Sequence, residues 1–126
     1  MCAGRRVLIV DDEVLIAMLL ADMLEELGCT VVGPAHDLET AATMAKAGDF
    51  DWAVLDLNLD GAPAFPIAAI LRERTIPFVF ASGYGVAEPG SGFEAAPVIQ
   101  KPFDVGELAT ALRRLGEAAG HGSSPV

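Results

Sequence analysis

Val7-Leu8-Ile9-Val10-Asp11-Asp12-Glu13 is a run of four apolar residues, three of them β-branched, followed at once by three acids. Four consecutive apolar residues bounded by charge fit a strand buried on both faces, because a half-buried strand would alternate. Glu13 to Leu27 behind it reads as a helix, with Gly28 where a left-handed cap is favoured. The same unit repeats outward. Thr30 to Val32 reads as a second strand, and Asp37 caps a helix running to about Lys46, with Gly48 behind it. Trp52 to Leu55 is a third strand, Ala64 to Arg74 a third helix, and Pro77 to Ala81 a fourth strand. Pro97 to Ile99 is a fifth strand, and Asp104 caps a last helix from Val105 to about Leu115.

Continuous apolar strands alternating with helices predict an α/β fold: a parallel sheet covered on both faces. Five such units in 126 residues suit one doubly wound, flavodoxin-like domain, residues 1–119, with strand order 2-1-3-4-5 and a disordered tail, residues 120–126. The fourth helix is expected to be weak or absent. Gly85, Pro89, Gly90 and Gly92 occupy its place, a handicap of roughly 6 kcal/mol against alanine. The stretch Gly85 to Ala96 therefore reads as mostly loop.

Hydrophobic residues make up 52% of the chain, enough for a full core. A formal net charge of -10 repels nucleic-acid backbones and anionic lipid, and suits a metal cation or a basic partner surface. No apolar run reaches transmembrane length, and Asp11 to Glu13 interrupt the first run too early for a signal peptide. A cytoplasmic protein is expected, with Cys2 and Cys29 as free thiols. His36 and His121 lack paired ligand spacing and read as surface residues. On the first helix, Val14, Met18, Ala21 and Leu24 read as the core face. Leu15, Ile16, Leu19 and Leu20 leave room for a partner surface.

In a doubly wound sheet the site lies beyond the carboxyl ends of the strands. Strand one ends in Asp11-Asp12, strand three in Asp56, strand four in Ser82 and strand five in Lys101. Three carboxylates, a hydroxyl and an ammonium thus converge. Clustered carboxylates repel one another, and a hard divalent cation such as Mg²⁺ relieves this while leaving positions open for phosphoryl oxygens. A carboxylate can attack an activated phosphoryl group to form an acyl phosphate. The charge on its oxygens would then be met by the cation, by Lys101 and by the Ser82 hydroxyl. Gly83, without a side chain, would keep its N–H accessible and the approach to Asp56 open.

In order and spacing, Asp11-Asp12, Asp56, Ser82 and Lys101-Pro102 resemble the response-regulator receiver domains of two-component signalling. The resemblance spans nearly the whole chain. It implies Asp56 as phosphoacceptor from a sensor histidine kinase, Mg²⁺ held by Asp12, Asp56 and the backbone carbonyl of Asn58, and Asp11 acting largely through water. It also implies signalling or relay, where a phosphotransfer protein can be a further partner, by a monomer or weak homodimer that modifies only itself and is not an enzyme. Asn58-Leu59-Asp60-Gly61 with Phe65-Pro66-Ile67-Ala68, and Pro77 to Gly85, are similar to the alphaproteobacterial-type "FAT GUY" single-domain subclass, with Ser82 in place of its usual Thr. Two positions depart from the wider family. Asp60 stands where a Pro is common, and Val98 stands where an aromatic switch residue is usual. The readout is therefore expected through the backbone after Ser82, with Tyr84 as the reporting side chain.

Plainer readings stand beside these. Asp11-Asp12 could cap a helix, Ser82 could be a turn residue, and Lys101 could be a structural partner of Asp56. A degenerate receiver that binds proteins without phosphorylation is one alternative. A small aspartyl phosphatase would place its nucleophile at the end of strand one with a second acid two residues on. Position 13 is Glu, and a receiver better explains Asp56, so this reading is disfavoured. An FMN binder is disfavoured because Asp11-Asp12-Glu13 would repel its phosphate.

Overall fold

A computed structural model describes residues 4–59, 61–83, 92, 93 and 96–123, with side chains as far as 116. Its elements are β1 (Arg6–Val10), α1 (Val14–Glu26), β2 (Thr30–Ala35), α2 (Leu38–Ala47), β3 (Trp52–Asp56), β4 (Asn58–Leu59), β5 (Ala62–Pro63), α3 (Phe65–Glu73), β6 (Phe78–Ser82), β7 (Val98–Gln100) and α4 (Val105–Ser123). Five strands form one parallel sheet in the order β2-β1-β3-β6-β7. This is the doubly wound order expected from the sequence.

Strand parity builds two cores. Leu8, Val10, Ala53, Leu55, Phe78 and Phe80 face α2 and α3, where they meet Ala41, Ala45, Ile67, Ala68 and Leu71. Val7, Ile9, Val54, Val79, Ala81 and Ile99 face α1 and α4, meeting Ala17, Leu20, Leu24, Leu108, Leu112 and Leu115. Both faces being buried is why these strands read as unbroken apolar runs. On the first face Phe65, Phe78, Phe80 and Phe93 form a cluster, with Phe65 stacked on Phe93 at a centroid distance of 5.5 Å.

The structure corrects several boundaries. β2 continues past Val32 to Ala35 through a bulge, because Gly33 adopts φ +91° and lets the strand rejoin β1. A Cβ there would lie 3.0 Å from the Ala35 nitrogen, so the bulge requires glycine. A short antiparallel pair, β4 with β5, was not foreseen. α4 runs to Ser123, beyond the expected end at Leu115 and into residues 120–123 of the expected tail. Glu117, Ala118 and Ala119 favour helix, and the first proline after Leu115 is Pro125. On α1 the buried residues are Ala17, Leu20 and Leu24, spaced i, i+3 and i+7, so Val14 and Met18 are exposed rather than core. Cys29 is disulfide-bonded rather than free. The Gly4 N–H donates to the Gly28 carbonyl, next to Cys29, at 2.9 Å. Cys2 and His121 lie outside the described side chains.

Of the stretch Gly85 to Ala96, the described residues are Gly92, Phe93 and Ala96, and these are not helical. The rest of that stretch, Asp60 and Tyr84 lie outside the described residues.

Candidate functional site

The same parity that builds the core gathers the site. Asp11, Asp56 and Lys101 continue the positions of Ile9, Val54 and Ile99, so all three emerge on the α1 and α4 side of the sheet's carboxyl edge. Asp11, Asp12 and Asp56 each place a carboxylate oxygen within 4.8 Å of the other two. Lys101 reaches across from the end of β7, with its Nζ 3.1 Å from Asp11 Oδ2 and 3.4 Å from Asp56 Oδ2. The lysine therefore pairs with both carboxylates, and more closely with Asp11, where a resting bridge to Asp56 was expected.

Asp11 and Asp56 are only 2% and 8% exposed, so each charge needs partners. Asp11 Oδ1 accepts from the Glu13 N–H at 2.9 Å, and Asp56 Oδ1 accepts from the Asn58 N–H at 3.2 Å. Burial raises the Asp56 pKa to about 7, reinforced by the neighbouring Asp11 charge and opposed by Lys101 and the Asn58 N–H. Burial alone would lower the Lys101 pKa, but the carboxylates of Asp56 and Asp11 outweigh it and hold the ammonium above its ordinary range. Among the described residues the cluster of three carboxylates has one ammonium beside it, paired with two of them. This set of hard oxygens, short of positive charge, is chemically fitted to a small divalent cation.

The other expected residues occupy the same edge. Ser82 ends β6 and is 3% exposed, and its carbonyl accepts from the Lys101 N–H at 2.8 Å. Asn58 opens β4 two residues beyond Asp56. Gly83 is exposed, and a Cβ there would meet nothing within 4 Å, so steric room does not require a glycine. Val98 pairs with Phe80 and packs against the core that contains the aromatic cluster, on the opposite face from the carboxylates.

His36 was missed in the sequence. Its Nδ1 lies 2.9 Å from the Asp11 carbonyl oxygen, at the end of β2. The strand-end rule applied to β2 would have pointed to it, had the strand not been ended at Val32. On α1, Val14, Leu15, Met18 and Leu19 are 55–75% exposed, a row of apolar side chains starting just after the acid pair. Among the described residues no helix is long and apolar enough to cross a membrane.

Known proteins resemble the chain in sequence and in fold. A family model described as response regulator receiver domain matches residues 7–113. The chain is 40% identical to SdrG from Sphingomonas melonis Fr1, whose solution structure superposes with a TM-score of 0.74 over 91% of this chain and 98% of that one. It is 32% identical over 112 residues to the transcriptional regulatory protein PdtaR of Mycobacterium tuberculosis, covering 86% of this chain and 55% of PdtaR, so it spans about half of that relative. The receiver domain of the Pseudomonas aeruginosa PAO1 sensor histidine kinase PA1611, solved with a magnesium ion coordinated in its active-site cleft, shares the fold. It is 23% identical, with a TM-score of 0.74 over 90% of this chain and 99% of that one.

Proposed function

From the premise that the chain belongs to the response regulator receiver family, we propose that it accepts a phosphoryl group on Asp56 from a sensor histidine kinase in a Mg²⁺-dependent reaction. The observation that carries this reading is the convergence of Asp11, Asp12 and Asp56 within 4.8 Å, with Lys101 bridging two of them. Asp12, Asp56 and the Asn58 carbonyl would hold the metal, with Asp11 supporting it. The bound ion would neutralise the carboxylates and one phosphoryl oxygen.

Asp56 attacks through a carboxylate oxygen. A P–O bond to Asp56 forms as the bond from phosphorus to the donor's imidazole nitrogen breaks, and the electron pair leaves with that nitrogen. Lys101 exchanges its contact with Asp56 for one with a phosphoryl oxygen, and the Ser82 hydroxyl donates to another. The row Val14, Leu15, Met18 and Leu19 offers the donor protein an apolar surface next to the site. The chain would act as a self-modifying switch or relay module, working with a kinase and, in a relay, a phosphotransfer protein. It would turn over no separate substrate and would need no nucleic acid or membrane contact. A cytoplasmic location and a monomer or weak homodimer fit this role.

Incubation with acetyl phosphate and Mg²⁺ tests the reading. The wild type is expected to gain one phosphoryl mass, and Asp56→Asn, or wild type with the metal chelated, to gain none. Equal adducts in all three would overturn it, and no adduct in any would favour a binding module that is not phosphorylated.

A further inference from the structure

We infer that His36 is a positioning residue for the acid pair: its imidazole holds the Asp11 carbonyl and so fixes the peptide that carries Asp12. The inference rests on the Mg²⁺-dependent reading of the site. His36 Nδ1 lies 2.9 Å from the Asp11 oxygen, and a carbonyl only accepts, so Nδ1 carries the proton. Asp11 is 2% exposed, and a backbone carbonyl on so buried a residue requires a donor.

The backbone explains why a side chain supplies that donor. The Asp11 N–H donates to the Ala35 carbonyl at 3.0 Å, the last rung of the β1–β2 ladder. In a continued parallel ladder the next donor to Asp11 would be the Asp37 N–H. The chain leaves the sheet at Asp37, whose side chain caps α2 through the Thr40 N–H at 2.7 Å. His36, one residue earlier, replaces the missing rung with its ring. The bulge at Gly33-Pro34 makes this possible, because it moves β2 by one residue so that Ala35 faces Val10 and His36 falls beside Asp11.

The Asp11 carboxylate is anchored separately, by the Glu13 N–H and by Lys101. Those contacts hold the side chain of Asp11, whereas the His36 bond holds the peptide leading into Asp12. Turning that peptide would swing the Asp12 carboxylate relative to Asp56, and a metal site built on both would loosen.

Calorimetric Mg²⁺ titration of the whole chain, with thermal melts alongside, tests this in His36→Asn, His36→Gln and His36→Leu. The Asn amide nitrogen occupies the position of Nδ1, whereas the Gln amide reaches past it and Leu has no donor. Removing an outer partner of a metal ligand commonly costs at least tenfold in affinity, so His36→Gln and His36→Leu are expected to bind Mg²⁺ about tenfold more weakly. His36→Asn is expected to stay within about twofold of wild type. Acetyl phosphate labelling at limiting Mg²⁺ should follow the same order. Should His36→Leu fail to fold, the Asn and Gln pair carries the comparison alone. Unchanged affinity in all the folded variants, or an equal loss in Asn and Gln, overturns the positioning role while leaving the Mg²⁺ reading intact. A wild type that binds no Mg²⁺ overturns the reading of the site itself, and this inference with it.

Discussion

On one face of β6, Phe80 meets Phe65, Phe78 and Phe93 at centroid distances of 5.4–6.1 Å, and Arg72 lies 4.1 Å above the Phe93 ring and donates to the Gly92 carbonyl. At the carboxyl edge on the other face, Asp11, Asp56 and Lys101 are joined by contacts of 3.1 and 3.4 Å. The two regions are about equally buried, yet differ in what can replace their contacts. A ring removed from the first leaves a void that nothing in solution fills. A carboxylate–ammonium contact in the second can be exchanged for a cation or a phosphoryl oxygen. The aromatic region thus sets stability, whereas the charged region forgoes some stability through its buried, crowded carboxylates, as the proposed phosphoacceptor site requires.

The largest effect should come from breaking the aromatic side. Phe93→Ala is expected to destabilise the fold by about 3 kcal/mol, the usual range for a buried ring. Well below the melting temperature it should leave acetyl phosphate labelling within about twofold of wild type. Denaturant melts and labelling time courses on one preparation check both halves. A large loss of labelling with stability retained would show that the two regions are not separable.

Lys101→Ala attacks the other side. In saturating Mg²⁺ it should slow phosphoryl transfer about 100-fold, roughly 2.7 kcal/mol of transition-state stabilisation. Wild-type rates in this variant would reduce Lys101 to a structural partner.

A smaller effect concerns pH. The Asp56 pKa is raised from 3.8 to about 7, mainly by burial, so the proton binds the folded state more tightly than the unfolded one. The stability this contributes is full below the unfolded value near 3.8 and is lost as pH rises through about 7. In chelator, Asp56→Asn should therefore stabilise the protein at pH 8 relative to wild type, by on the order of 1 kcal/mol after solvent screening, and much less at pH 5. Equal offsets at both pH values would show that the buried charge of Asp56 is not what destabilises the metal-free fold.

The charged region was far more legible in the sequence than its surroundings. Asp11, Asp12, Asp56 and Lys101 each follow an apolar strand, so strand periodicity and the strand-end rule place them together. His36 escaped because Gly33-Pro34 looks like a strand terminus, and only a positive φ at Gly33 carries β2 through to it. The core face of α1 was misjudged because apolar residues cover nearly every side of that helix. The sheet's geometry, not periodicity, selects Ala17, Leu20 and Leu24. The importance of Phe93 was also hidden. It sits among glycines, and its partners Phe65 and Phe80 are distant in sequence.

The central claim is that Asp56, rather than another acid of the cluster, becomes covalently phosphorylated. Reductive trapping tests it most directly: label with acetyl phosphate and Mg²⁺, reduce with borohydride, and locate the modified residue by tandem mass spectrometry. Borohydride converts an aspartyl phosphate to homoserine. Homoserine is expected at position 56 only, and only when Mg²⁺ was present. Homoserine at position 11 or 12, or at 56 with the metal chelated throughout, would contradict it.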